Sequence, residues 1–276
     1  MRRTGLGLSC LVGAIFALLS LGGSAARAEN VDDPWPDIAR DAFKGQPLVD
    51  GTGLLVIEMP YRAEDAAIVP VTLRATLPPG DERYVKTFTI VVDENPSPVA
   101  ATFTIGPGSG VSSISTRLRV NSYTNVHAVA ELSDDVLYVV KTYVKASGGC
   151  SAPALKNADE AKANLGLTRF RQFLSTPDAP VSHIQEAQVM IRHPNNSGLQ
   201  MDQVSRLYIP AFFIHQLKIW QGDQLVLAMD GGISISEDPN IRFNYVPNGA
   251  KTFRLEARDT ENHVFKSEWP VRGSQI

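Results

Sequence analysis

The sequence predicts an all-β protein built from two immunoglobulin-like β-sandwich domains, and three features of the 276-residue chain indicate this class. Many short segments alternate apolar and polar residues with a period of two, which is the pattern of half-buried strands. Clusters of Gly, Pro, Asn and Asp separate these segments. The alternating segments fall into two blocks. We therefore divide the chain into a signal peptide (1–28), a first sandwich (29–145), a cysteine arm with a short helical linker (146–183) and a second sandwich (184–276).

The N-terminal segment has the composition of a secretory leader. Arg2 and Arg3 precede an apolar run over residues 11–21, and small residues end it at Ala26-Arg27-Ala28. A membrane-spanning helix needs ~20 apolar residues, and this run is shorter. We predict cleavage after Ala28 and a periplasmic protein that begins at Glu29.

Charge excludes two classes of partner. Removing Arg2, Arg3 and Arg27 with the leader leaves 23 Lys and Arg against 29 Asp and Glu, a net charge of −6. A mildly acidic chain without a basic stripe is a poor ligand for nucleic acid or anionic lipid. We expect neither nucleic acid nor a membrane as a partner.

The first block begins with a predicted helix over 37–43 that packs on the sandwich, and then alternates. The glycine-rich stretch 106–110 lacks the Gly-Lys-Ser/Thr ending of a phosphate loop, so we interpret it as a hairpin turn. Arg117 and Arg119 alternate with Leu118 and Val120, which predicts that both arginines face solvent. The apolar positions of the predicted strands are Val71-Leu73-Ala75-Leu77, Phe88-Ile90-Val92, Ala101-Phe103-Ile105 and Val126-Ala128-Ala130-Leu132.

The stretch between the blocks holds Cys150, the only cysteine outside the leader. Gly148 and Gly149 precede it and adopt φ > 0 freely, which predicts a flexible arm. Six extended residues span at most ~20 Å, enough to carry a thiol into another protein's cleft. With no second cysteine, an intramolecular disulfide is impossible, and we expect an accessible, reactive thiol. The alternative is that Cys150 packs in the core as a small apolar residue.

Residues 154–174 have helical spacing, with an interruption expected at Gly166, and 175–180 is a predicted loop. The alternation then returns through a second, smaller sandwich with hairpin turns. Its apolar positions are Ala187-Val189-Ile191, Leu217-Ile219, Leu225-Leu227-Met229, Ile233-Ile235, Ile241-Phe243-Tyr245 and Phe253-Leu255-Ala257.

No catalytic set, metal site or cofactor motif is evident. The five histidines show no ligand spacing and no second cysteine accompanies them, so each is interpreted as a surface or packing residue. A Cys-His hydrolase would need the fold to bring a histidine beside Cys150. The histidines are His127, His183, His193, His215 and His263.

Several motifs resemble known families. The first block resembles SoxY, the sulfur-carrying subunit of the bacterial thiosulfate-oxidising system, at Val71–Leu77, Tyr84-Val85-Lys86, Glu94-Asn95-Pro96, Ala101-Thr102-Phe103, Ser115–Arg119 and Ala128–Asp134. The second block resembles its partner SoxZ at Ile191–Pro194, Gly198, Ile209–Ile214, Ile235-Ser236, Asp238-Pro239 and Asp259–Asn262. The resemblance implies two immunoglobulin-like domains and an arm whose cysteine carries sulfur intermediates between periplasmic enzymes.

One departure from SoxY concerns the arm. SoxY ends in Gly-Gly-Cys-Gly-Gly, whereas Gly148-Gly149-Cys150 is followed here by Ser151-Ala152-Pro153 and a whole second domain. The chain therefore resembles the fused SoxYZ-like carriers associated with quinoprotein dehydrogenases.

Our main hypothesis is a non-enzymatic periplasmic carrier that presents a covalent adduct, expected to be sulfur, on Cys150 to partner oxidoreductases. These partners are Sox-type enzymes or a quinoprotein dehydrogenase. The alternative is a non-covalent accessory module for such a dehydrogenase, in which Cys150 carries no cargo. A thiol oxidoreductase is disfavoured because no resolving cysteine is present.

Overall fold

A computed structural model describes residues 33–153, 158–173 and 184–271 of the chain. This part of the chain forms two short helices and two β-sheets. The elements are α1 (Trp35–Ala42), β1 (Leu48–Asp50), β2 (Leu55–Glu58), β3 (Val69–Ala75), β4 (Val85–Val92), β5 (Val99–Ile105), β6 (Ser113–Leu118), β7 (Thr124–Leu132), β8 (Leu137–Val144), α2 (Ala158–Ala163), β9 (Thr168–Phe173), β10 (Gln185–Ile191), β11 (Ile214–Gln221), β12 (Gln224–Gly231), β13 (Asn240–Tyr245), β14 (Thr252–Asp259) and β15 (Val264–Pro270).

The alternating segments form the predicted strands, with one exception. Ile233 lies in a turn, and Ile235 forms only an isolated bridge to Leu118. In β3, Val71 and Leu73 are buried while Arg74 faces solvent, and β14 repeats the pattern with Phe253 and Leu255 inside. Alternate side chains of a strand point to opposite faces, so one apolar face of each sheet packs into the core. The fold class is confirmed: the protein is nearly all β, with two sheets that form β-sandwich domains.

Both sheets run through both halves of the chain. The nine-stranded sheet has the order β1-β8-β7-β4-β5-β12-β11-β14-β15, and the six-stranded sheet has the order β2-β3-β6-β13-β10-β9. In the first sheet β5 pairs antiparallel with β12, from Ile105 opposite Leu227 to Ala101 opposite Gly231. In the second, β6 pairs with β13. Main-chain hydrogen bonds therefore join the two halves of the chain in both sheets. We call this junction, formed by the β5–β12 and β6–β13 pairs, the seam.

The helix α1 packs on the first half as expected. Pro36 lies in its first turn, and Asp37 and Arg40 complement its dipole at the two ends. The Trp35 ring stacks on His127, with ring centroids 3.5 Å apart and planes 6° apart. His127 is buried, and its Nδ1 lies 3.0 Å from Asp93 Oδ1. The helix is thus anchored by an aromatic contact to β7.

The linker differs from the prediction. A helix is present only over Ala158–Ala163, and Thr168–Phe173 is not helical but forms the edge strand β9, paired with β10. The open edge of β10 supplies backbone partners for this segment, and such tertiary pairing overrides local propensity. The break at Gly166 is confirmed: its φ is +78°, and a Cβ there would lie 2.2 Å from the Phe265 ring. Residues 154–157 and 174–183 lie outside the described residues.

The leader, residues 1–28, also lies outside the described residues, so export stays a prediction. Among the residues that the structure describes, none of the helices has the length and apolarity to cross a membrane.

Candidate functional site: a Gly-Gly-Cys segment docked in the seam

The segment 146–152 is docked against the first half of the protein. The Gly148 peptide N–H donates to the Asn121 carbonyl at 2.8 Å, and the Gly149 N–H donates to the Val120 carbonyl at 2.9 Å. Val120 and Asn121 lie just after the end of β6, so the segment lies along the strand end that borders the seam. The arm that the sequence predicts to be flexible is docked in this structure.

The two glycines have different physical roles. A Cβ at Gly149 would lie 2.0 Å from the Ala66 carbonyl oxygen and 2.7 Å from that of Val120, so only glycine fits. Gly148 has no atom within 4 Å of such a Cβ, but its φ of +78° is left-handed. Gly149 therefore permits close packing of backbone on backbone, and Gly148 permits the turn.

The second half holds the same segment from the other side. The Ser197 hydroxyl donates a short hydrogen bond to the Cys150 carbonyl, and the Gln200 side-chain amide donates to the Ala152 carbonyl at 3.0 Å. Ser197 and Gln200 are buried, in the loop that follows β10. The carbonyl of Asn195, in the same loop, accepts a hydrogen bond from Arg119 of the first half. Cys150 thus lies between the two halves and is held by both.

The Cys150 thiol is inaccessible in this arrangement. The residue is 0% exposed, and burial raises its pKa to about 11, although the positive charge of Arg119 acts in the opposite direction. A thiol with this pKa is protonated at neutral pH, and the protonated form is a poor nucleophile. The prediction of an accessible thiol is therefore wrong for the docked state. The small residues around Cys150 supply little apolar surface, but their size lets the backbone enter a narrow seam and form the hydrogen bonds given above.

Arg119 is buried rather than solvent-facing, which corrects the sequence prediction. It is 1% exposed, and its guanidinium donates to the Gly149 carbonyl at 3.2 Å and to the Asn195 carbonyl at 3.4 Å. Its Nε has no hydrogen-bond partner among the described residues. Burial lowers the pKa of Arg119, whereas the charges of Glu237, Cys150 and Asp65 raise it by a smaller amount. Residue 119 follows the last residue of β6, where the alternation that predicted a solvent face no longer applies.

Arg117 is half-buried, so its predicted exposure is also only partly met. Its guanidinium donates to the Asp238 carbonyl at 2.9 Å, across the seam. Burial lowers its pKa, and the nearby Asp238 and Glu237 act in the opposite direction. Arg117 in β6 and Arg119 just after it therefore both contribute to the junction of the two halves.

Sequence reasoning missed the role of Asn95. This residue is buried, and its side-chain amide donates to the Arg119 carbonyl at 2.8 Å and to the Ser234 hydroxyl at 2.9 Å. Its Oδ1 accepts the Asn121 N–H at 2.8 Å. Asn95 precedes Pro96 in a predicted turn, and nothing in that local pattern distinguishes a turn residue from one that ties two halves together.

The described histidines include both packing and surface residues: His127 and His193 are buried, and His263 is exposed. His193 is buried, its Nδ1 accepts the Asn195 N–H at 3.1 Å, and burial lowers its pKa. His263 Nδ1 lies 2.8 Å from Asp259 Oδ2. His183 lies outside the described residues. Over residues 33–153, 158–173 and 184–271, no group of three or more His, Cys, Asp or Glu side chains is placed to hold a metal ion.

Two family models match the chain in succession. Residues 39–150 match the model of the sulfur oxidation protein SoxY, and residues 176–270 match that of the sulphur oxidation protein SoxZ. The chain is a fusion of a SoxY-like domain and a SoxZ-like domain. The SoxY match ends at Cys150, and the SoxZ match contains Ser197 and Gln200. The cysteine therefore belongs to the SoxY-like domain, and the SoxZ-like domain closes over it.

Two solved structures are similar to part of the chain. The sulfur carrier protein SoxY from Chlorobium limicola f thiosulfatophilum is 26% identical, and the match covers 41% of this chain and 91% of that one, with a TM-score of 0.35. A superoxide reductase (neelaredoxin) from Ignicoccus hospitalis is 12% identical, covering 33% of this chain and 78% of that one, with a TM-score of 0.30. No functionally curated protein matches the chain significantly.

Together the two domain matches support a role as a fused SoxYZ-like sulfur carrier that works with oxidoreductase-type partners.

Proposed function

We propose that the protein is an exported, periplasmic carrier in which Cys150 forms a covalent sulfur adduct and presents it to partner oxidoreductases. The observation that carries this proposal is the position of Cys150 at the last residue of the SoxY match, directly after Gly148-Gly149. It is also the only cysteine outside the leader, so an adduct on this chain has one possible site.

Loading requires an electron acceptor. Joining the Cys150 sulfur to the terminal sulfur of a thiosulfate-like anion breaks the S–H bond and forms an S–S bond. One proton and two electrons leave for each adduct formed. The electrons pass to the oxidoreductase that performs the loading, which is a Sox-type enzyme or a quinoprotein dehydrogenase. The carrier supplies the thiol and the means to deliver it.

The docked structure is the resting state of this carrier. A thiol with 0% exposure and a pKa of about 11 is protected from oxidation and from mixed disulfides, to which a free thiol in an oxidising compartment is otherwise prone. The hydrogen bonds that hold it are few and come from two domains, so the segment is released when these bonds exchange for bonds to a partner. Only the released thiol has an ordinary pKa and reaches another active site.

Intact mass tests the proposal. Protein purified from its native periplasm should carry an added mass that reductant removes, and the Cys150→Ser variant should carry none. Ser151→Ala is the matched control, because it changes the neighbouring hydroxyl and leaves the thiol, and it should retain the adduct. Unmodified wild-type protein, isolated from cells oxidising the substrate of the partner enzyme, would contradict the carrier role.

The same mass measurement tests export, because detection of Met1 at the N-terminus would contradict it.

A second function is supported by the burial of Cys150. A cysteine at 0% exposure is also typical of a residue that only packs in the core. If Cys150 carries no cargo, the protein is a non-covalent accessory module for a periplasmic quinoprotein dehydrogenase. Genetic replacement separates the two. Cys150→Ser should abolish substrate oxidation by the pathway if Cys150 carries cargo, whereas an accessory module whose fold is intact should retain it.

A further inference from the structure

An apolar cavity of about 800 Å³ lies between the SoxZ-like domain and the segment that precedes it, close to the docked segment. Its wall includes Leu165, Met201, Ile209 and Phe212, together with Pro153, three residues after Cys150. The volume is within the range of small-molecule sites, which are concave, mostly apolar and equipped with a few polar groups. A cavity of this size holds a molecule of two or three rings.

The charged groups that line the cavity are two carboxylates, of Asp202 and Glu261, and one lysine, Lys162. The other polar lining residues are Asn196, Gln203 and His263. The Asp202 carboxylate accepts the Ser205 N–H at 2.7 Å, the Ser205 hydroxyl at 2.8 Å and the Val204 N–H at 3.2 Å, and these hydrogen bonds lower its pKa. A lining with two carboxylates and one lysine favours a ligand whose head group is neutral or cationic and donates hydrogen bonds, and it disfavours an anion.

The cavity and the docked cysteine share a wall. Asn196 and Met201 line the cavity, while Ser197 and Gln200 of the same loop hold the carbonyls of Cys150 and Ala152. A ligand that shifts this loop from the cavity side also shifts the two side chains that hold the cysteine on the other side.

We propose that this cavity binds a small apolar organic molecule with a neutral or cationic hydrogen-bond-donating head, and that its occupancy changes the exposure of Cys150. The proposal concerns thiol access and does not depend on which cargo Cys150 carries. Its failure is distinguishable from failure of the carrier function, because the adduct is read by mass and the site by fluorescence.

Two fluorescent probes with one aromatic skeleton test the site in the full-length protein. N-phenyl-1-naphthylamine is neutral, and 8-anilino-1-naphthalenesulfonate adds an anionic sulfonate to the same rings. The neutral probe should bind saturably at one site and at least tenfold more tightly than the sulfonate. Glu261 is exposed, and Glu261→Gln removes one carboxylate, so this variant should reduce the difference in affinity between the two probes. No saturable binding, or tighter binding of the sulfonate, would overturn the site.

Matched variants locate the binding. Met201→Lys places a charge on the cavity wall and should weaken the neutral probe at least tenfold. Leu207→Lys changes an exposed residue of the same segment that does not line the cavity, and it should leave binding unchanged. Thermal melting confirms that both variants are folded. Equal effects of the two substitutions would place the probe elsewhere and overturn the assignment.

The coupling is measured as the rate at which Cys150 reacts with 5,5′-dithiobis(2-nitrobenzoic acid). Saturating neutral probe should change this rate at least threefold, over the same concentration range as the fluorescence. Leu207→Lys should retain the response, and Met201→Lys should lose it. A rate that is unaffected by a bound probe would overturn the coupling.

Discussion

The guanidinium of Arg119 donates a 3.2 Å hydrogen bond to the carbonyl of Gly149, the residue directly before Cys150. A buried positive charge therefore lies beside a buried thiol. Its field lowers the pKa of Cys150, but burial raises that pKa by more, and the result is about 11. The seam thus stores the thiol in its unreactive, protonated form.

The native thiol should react slowly. A pKa two units above the ordinary value of 9.0 lowers the thiolate fraction at neutral pH about 100-fold, and the lack of exposure slows access further. We expect maleimide labelling of native protein to be at least 100-fold slower than labelling in denaturant, followed by intact mass over time. Comparable rates in the two states would show that Cys150 is accessible in solution, as the sequence alone predicts.

Gly149→Ala should release the segment. Its Cβ would lie 2.0 Å from the Ala66 carbonyl oxygen, which is backbone and has little freedom to move. We expect the labelling rate of Cys150 in this variant to approach that of unfolded protein, while circular dichroism shows the sheets intact.

Gly148→Ala is the matched control for that experiment. Its Cβ meets no atom within 4 Å, so the cost is only the strain of an alanine at φ +78°, about 1–2 kcal/mol. The labelling rate should rise only about tenfold. If Gly148→Ala exposed the thiol as fully as Gly149→Ala, backbone conformation rather than close packing would hold the segment.

Ser197→Ala tests how much the hydrogen bond from the SoxZ-like domain stabilises the docked segment. The substitution removes the hydroxyl that donates to the Cys150 carbonyl, a contribution of about 1 kcal/mol. Cys150 labelling should accelerate about fivefold, measured by the same assay. Ser151→Ala is the control, because the exposed Ser151 hydroxyl contacts only the Gly148 carbonyl, at 3.3 Å, among the described residues. An equal acceleration in both variants would contradict a specific role for Ser197.

Stability should fall in alkaline solution because of Cys150. The folded state holds the thiol proton up to about pH 11, whereas the unfolded chain releases it near pH 9, so the unfolded state gains between these values. The free energy of unfolding should decrease by about 3 kcal/mol across this window. Below about pH 9 the contribution is fully present. Urea titrations at a series of pH values measure it.

Cys150→Ala supplies the comparison for the alkaline titration. Burial also raises the pKa of Tyr245 to about 12, and this group remains in the variant. The difference between wild type and variant therefore isolates the thiol. A difference that does not change between pH 9 and pH 11 would show that Cys150 has an ordinary pKa in the folded protein.

The strands were predictable because their burial is periodic. Val71 and Leu73 of β3 alternate with polar neighbours, and a period of two puts them on one face whatever the rest of the chain does. The motifs that resemble SoxY and SoxZ likewise identify both domains from the amino-acid sequence alone, and the family models match the same two blocks. The sequence also singles out Cys150 and its glycines as the candidate site.

Long-range contacts decided the rest. The segment 168–173 became a strand because β10 offered an edge, and Arg119 became buried because the second half covers the end of β6. The state of Cys150 is the clearest case. By itself, Gly-Gly-Cys determines only that the backbone is free to bend and that a thiol is present. Whether that freedom yields an exposed arm or a docked segment depends on the carbonyls of Ala66 and Val120 and on the side chains of Ser197 and Gln200, which lie far from Cys150 along the chain and meet it only in the folded seam.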